Sequence, residues 1–308
     1  MSNLHKKIPH FVFFFIFAVV IFTLFFSIRS WAQSQPNGQS LEVSPPSQDI
    51  TGDPGKIITI KAKVINRNNT PNTVKVRLED FTAQGDEGQV ALVEEGPYSV
   101  TTWSTISPDT FTLAPGEEKE ITATVHIPKT AAGGRYGSFV FSLIGGGKET
   151  GSVASLSQEI ASLFLLRISG PVNEHLMFTG FQAPQFSEYG PVPFNLTFKN
   201  DGNVHVKTFG LINVQNMFGQ KVADVVVPGT NVFPSATRII HAELDRTFLF
   251  GPYTATAIMY YGVGNQTLTA TTGFTVFPLK LAVITLLILI FLYMGRKRIG
   301  KAINALFK

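Results

Sequence analysis

Cysteine is absent from the 308-residue chain. That excludes disulfides, thiolate nucleophiles and Cys-ligated zinc or iron–sulfur sites. Charge is scarce, at 15% of residues, and acidic residues are missing altogether from both ends. Segments 1–32 and 278–308 together hold nine Lys and Arg residues and no Asp or Glu. The middle, 33–277, therefore carries a net charge of −5, and the basic pI belongs to the ends. A mildly acidic body argues against nucleic acid as a partner. Catalytic spacings are missing too: there is no Gly-x-Ser-x-Gly elbow, no His-Glu-x-x-His and no P-loop. Gly262-Val263-Gly264 lacks the third glycine of a dinucleotide site.

What is present begins with the ends. Phe11–Ile28 is apolar apart from Thr23 and Ser27, follows His5-Lys6-Lys7 and precedes Ser30-Trp31-Ala32. A basic start, an apolar run and small residues before a cut read as a secretory signal over 1–32, cleaved or kept as an amino-terminal anchor. Phe277–Met294 is 18 residues long with Lys280 near its start. At about 1.5 Å per residue it spans ~27 Å, close to the thickness of a hydrocarbon core. Gly295-Arg296-Lys297-Arg298 follows at once, and positive charge beside a span stays cytoplasmic. The expectation is a single-pass membrane protein: a transmembrane helix over 277–295, a basic cytoplasmic tail over 296–308, and an exported body.

The body alternates. Ile58, Ile60, Ala62 and Val64 are interleaved with Thr59, Lys61 and Lys63. Val74, Val76 and Leu78 repeat the pattern, as do Ile121 to Ile127 and Val192, Phe194, Leu196 and Phe198. Period-2 alternation predicts strands with one wet face, as in antiparallel sheets. Asp53-Pro54-Gly55, Ala114-Pro115-Gly116, Asn200-Asp201-Gly202 and Val227-Pro228-Gly229 read as turns between them. The fold class expected is all-β, two tandem Ig-like β-sandwiches over 40–169 and 171–277. A long Gly/Ser-rich hairpin connection is expected at 145–157. In each half a strand ends in Asn (Asn66, Asn200) before a polar turn. Tyr136 and Tyr253 stand where a corner tyrosine turns its hydroxyl back to nearby backbone.

The six histidines are scattered, and for each a surface imidazole is the expected role. Paired acids such as Asp86-Glu87 point to opposite faces of a strand and read as solvated. No metal and no cofactor is expected. Tyr98 and Trp103, in a Ser/Thr-rich stretch, are the candidate glycan-binding residues, with Trp103 as a core plug the competing role. Arg238 is the candidate contact to an anionic partner, or a donor to a loop carbonyl.

The chain resembles the WxL-interacting protein family of bacterial cell surfaces. The first half resembles that family's peptidoglycan-binding domain at Leu41-Glu42-Val43-Ser44-Pro45, Val64-Ile65-Asn66, and Leu113-Ala114-Pro115-Gly116-Glu117 through Gly134-Arg135-Tyr136-Gly137. The second half resembles its partner-binding domain at Phe198-Lys199-Asn200-Asp201-Gly202-Asn203, Val232-Phe233-Pro234-Ser235 and Gly251-Pro252-Tyr253. The resemblance implies a non-catalytic, membrane-anchored envelope protein that binds peptidoglycan or surface proteins, WxL-domain proteins among them. The alternative from another class is a membrane-tethered assembly factor or chaperone that takes a strand from a secreted client. It requires an unpaired, flat, hydrophobic edge strand.

Overall fold

A computed structural model describes residues 41–144 and 159–306. The expected signal segment and the Gly/Ser-rich connection lie outside the described residues. The body is all-β. The first half contains β1 (Leu41–Ser44), β2 (Ser47–Gly52), β3 (Ile57–Asn66), β4 (Asn72–Gln84), β5 (Gln89–Val93), β6 (Ser104–Ser107), β7 (Thr110–Leu113), β8 (Glu118–His126), β9 (Gly133–Ile144) and β10 (Glu159–Ile168). One sheet has the order β1-β3-β8-β6; the other is β2-β10-β9-β4-β5, with β7 also on β4. Pro45-Pro46 lies between β1 and β2, where missing amide donors break the ladder and let the chain change sheets.

The second half contains β11 (Leu176–Gln182), β12 (Phe186–Ser187), β13 (Val192–Asn200), β14 (Val206–Asn216), β15 (Lys221–Val232), β16 (Thr237–Leu244), β17 (Gly251–Tyr261) and β18 (Gln266–Val276). Its sheets are β11-β13-β16 and β12-β18-β17-β14-β15. Helix α1 (Leu279–Leu306) follows. Its stretch Leu279–Arg296 is long and apolar enough to cross a membrane, and none of it is buried against the body.

Alternation becomes burial directly. Ile60, Ala62 and Val64 share one core with Ile121, Ala123, Val125 and Phe164; Val192, Phe194, Leu196 and Phe198 share another with Ile212, Ala257 and Phe274. Each core is closed at a corner by a fully buried asparagine. Asn66 Nδ2 donates to the carbonyls of Thr70, Leu113 and Ala114, and Gly116 N–H returns to the Asn66 carbonyl. Asn200 repeats the device: Nδ2 donates to Val204 and Val232, Oδ1 accepts from Gly202 N–H, and Ser235 N–H returns to its carbonyl. Replacing Asn200 by Ala strands these buried groups, each worth about 1–3 kcal/mol. Chemical denaturation of Asn200→Ala is expected to show a loss of at least ~2 kcal/mol.

One expected turn is not a turn. Pro228-Gly229 lies inside β15, where both residues oppose Phe209 alone in the β14 register. β15 is an edge, so the absent proline donor costs the ladder nothing and the pair forms a bulge. Asp53-Pro54-Gly55 does turn, with Gly55 at φ 77° and Lys56 N–H on the Asp53 carbonyl.

Candidate partner-binding surface

The two sandwiches meet around Tyr136, at the start of β9. Its buried ring packs against Phe81, Tyr98, His205 and Phe233, with centroids 5.1–5.9 Å away. Its hydroxyl crosses to the second sandwich and accepts the His205 backbone N–H at 2.7 Å. Tyr253 behaves as a corner tyrosine: its hydroxyl accepts Phe250 N–H and donates to the Phe250 carbonyl. Tyr136 differs: its hydroxyl takes its backbone partner from the neighbouring sandwich. Burial raises its phenol pKa above the ordinary range.

His205 is likewise buried rather than a surface imidazole. It follows the second sandwich's Asn200 corner, and the first sandwich covers it. Burial lowers its pKa from 6.5 to about 4, against the opposing pull of Asp49, whose Oδ1 is 3.7 Å from Nε2. The unfolded chain therefore binds a proton between pH 6.5 and 4 that the folded chain refuses. Stability from this group is complete above pH 6.5 and falls as pH drops towards 4. The shift corresponds to roughly 3 kcal/mol. Urea unfolding at pH 7 and pH 4.5 is expected to show a loss that His205→Gln largely removes.

The β4–β5 turn of the first sandwich reaches the β16 edge of the second. The Asp86 carbonyl accepts Ile239 N–H at 2.7 Å, and Glu87 Oε2 lies 2.8 Å from His241 Nε2. Asp86 and Glu87 are exposed, as expected, and this turn also contacts the β16 edge. Arg238 donates through Nη1 to the Asn231 carbonyl and packs over Gly88, where an added Cβ would lie 2.2 Å from its guanidinium carbon. Tyr98 leans edge-on against Tyr136 and reaches the Ser235 hydroxyl at 3.4 Å. Trp103 is half-buried against the first core, with the Arg135 guanidinium 5.1 Å above its ring. Both aromatic rings thus have protein groups packed against them. A cleft of about 400 Å³ opens beside this joint, lined by Phe81, Tyr98, Phe233 and Pro234 among others. No charged side chain or histidine lines it; its polar side chains are Thr82, Tyr98, Tyr136, Ser235 and Thr237. Among the described residues, no three His, Asp or Glu side chains converge as metal ligands.

Most sheet edges are short or interrupted. β1, β6 and β7 have four residues each, and β5 has five. β2 covers β10 from Leu163 to Ile168. β11 is broken by a register shift at Phe178/Gly180; β15 carries Lys221, Asp224 and the Pro228 bulge. β18 is different. Its 11 residues include no charge and no proline. β12 pairs with it only at Thr275 and Val276, and among the described residues no strand pairs with the outer side of Gln266 to Phe274. Thr275 N–H points outward to the Gln185 carbonyl, and its opposite number in β17 is Pro252, which has no donor. The alternation of an antiparallel ladder then aims the amides and carbonyls of Thr267, Thr269, Thr271 and Gly273 outward as well. Leu268, Ala270, Thr272 and Phe274 point to the core side, so the open edge is backed by an apolar face.

Sequence reasoning found neither the joint nor this edge. Both depend on which strand lies beside which, and only the uncharged composition of Gln266–Val276 hinted at the edge.

No family model matches the chain, and no curated protein matches it. Solved structures do. A chaperone–tip adhesin complex of CFA/I fimbriae biogenesis matches at 14% identity over 75% of this chain and 98% of that one, with a TM-score of 0.41. The class 5 fimbriae chaperone CfaA matches at 14% identity over 75% and 98%, with a TM-score of 0.39. The CsuC–CsuE chaperone–tip adhesion subunit complex of Acinetobacter baumannii matches at 11% identity over 65% and 89%, with a TM-score of 0.35. These likenesses concern the fold, which is all-β and built of Ig-like sandwiches. The expectation that the protein's task is to bind peptidoglycan is corrected: no family model and no curated protein supports it.

Proposed function

We propose that this chain is a membrane-tethered assembly factor that receives an extended segment of a secreted client along β18. The observation that carries the reading is the uncharged outer edge from Gln266 to Phe274, a long strand edge that, among the described residues, no paired strand, bulge or charge closes. Proteins blunt such edges unless they use them. An added strand gains main-chain hydrogen bonds in register, and its alternate side chains sit against the apolar face. The reading rests on this edge and on the anchor that follows it, not on the fold neighbours. Helix α1 would span the membrane, with the body exported and the basic tail in the cytoplasm. The chain would act by binding alone, without catalysis. The sequence resemblance proposes surface proteins of the WxL type as one class of client.

The test is a photoreactive amino acid at position 269 of the full chain in cells, compared with position 256. Thr256 faces solvent on the same sheet, but its strand β17 is paired on both sides. Adducts with secreted proteins at 269 and not at 256 are expected. Equal labelling at both positions, or none at 269, would overturn the proposal.

A further inference from the structure

Four strongly exposed apolar side chains of the second sandwich gather at one end, while Phe209, Val226 and Val263 lie elsewhere. The register pairs Asn216 with Tyr253, Gly251 with Val276, and Val192 with Leu244. The β14–β15 turn, the β16–β17 loop and the exit from β18 therefore share that end. The turn carries Met217 and Phe218, 63% and 76% exposed. The loop carries Phe248 and Phe250, 88% and 69% exposed. Phe250 stacks near Phe277, ring centroids 5.1 Å apart, and Phe277 leads through Pro278 into α1. Lys221, Arg246 and Lys280 stand among these residues in the chain, with Lys221 paired to Asp224, Lys280 paired to Glu188, and Asp245 beside Arg246. Soluble surfaces seldom cluster such side chains on loop tips without a partner.

We propose that this end of the second sandwich is seated in the membrane interface, with Met217, Phe218, Phe248 and Phe250 among lipid headgroups and upper acyl chains. The occupant follows from continuity: the helix long and apolar enough to enter a bilayer begins at Leu279, beside the cluster. Aromatic and aliphatic side chains with basic neighbours are the composition that interfacial segments use. The body would then stand at a fixed height, with the open edge of β18 running down to the lipid surface.

Because the chain has no cysteine, single labels are clean. Phe218→Cys, Phe248→Cys, Val263→Cys and Leu287→Cys would each carry a nitroxide, in full chains reconstituted into phosphatidylcholine–phosphatidylglycerol vesicles. Val263, 78% exposed, lies in the β17–β18 turn at the far end, and Leu287 lies within α1. Power-saturation EPR would compare oxygen with a water-soluble nickel complex. Labels at 218 and 248 are expected to be at least about fivefold less accessible to nickel than the label at 263, and more accessible to oxygen. Accessibility at 218 and 248 equal to that at 263, with 287 in lipid, would overturn this inference and leave the span intact. A label at 287 open to nickel would overturn the span itself. Nickel protection at 218 and 248 with dipolar broadening that vanishes on dilution with unlabelled chain would assign the patch to a second copy instead, and would also overturn it.

Discussion

Thr271→Pro is expected to abolish client adducts at position 269 while leaving the body folded, and Thr272→Pro is expected to unfold it. The two positions are adjacent on β18, but their amides point in opposite directions. Thr271 N–H faces the open side, so proline removes no bond of the ladder and puts a ring where a client strand must pair. Thr272 opposes Ala255, and its N–H belongs to the β17–β18 ladder. Proline there breaks an internal bond and distorts a strand that carries Phe274 and Val276 into the core, a loss of about 3 kcal/mol or more. For Thr271→Pro, a change in unfolding free energy within about 1 kcal/mol is expected. Denaturant titration of both variants, with crosslink yield from the first, checks the pair. A fully retained crosslink in Thr271→Pro would mean that the client binds elsewhere.

Tyr136→Ala is expected to separate the two sandwiches. The ring fills the joint between Phe81, Tyr98, His205 and Phe233, and its hydroxyl holds the His205 amide. Removing a buried aromatic ring costs about 3–5 kcal/mol. That loss falls on the contact between the halves, since the two main cores are built from other residues. Calorimetry is expected to resolve two transitions in the variant where the parent has one. Tyr136→Phe keeps the ring and leaves the His205 N–H unpaired, for a smaller loss of about 1–3 kcal/mol. A single transition at the parent's temperature in Tyr136→Ala would show that the joint is not held here.

The strands of both sandwiches were legible because their inward residues alternate without interruption: Ile121, Ala123, Val125 and Ile127 in the first half are all buried, as are Val192, Phe194, Leu196 and Phe198 in the second. The apolar stretch of α1 was legible for an equally local reason, its length and its lack of charge. The candidate surface was not. Pro228-Gly229 has turn composition, but an edge position lets it stay in a strand. His205 and Tyr136 look polar or locally satisfied in the sequence, yet each is buried by the other's sandwich. Glu87 finds its partner 154 residues away. The outer side of β18 is defined by having no paired strand among the described residues, and sequence alternation reports faces of a sheet, not its edges.

Hydrogen exchange along β18 tests the central claim most directly. In the free protein, the amides of Leu268, Ala270, Thr272 and Phe274 are expected to exchange slowly, and those of Thr267, Thr269, Thr271 and Gly273 at least about a hundredfold faster. Slow exchange at all eight positions in the absence of any client would show that the edge is already closed, and would contradict the account.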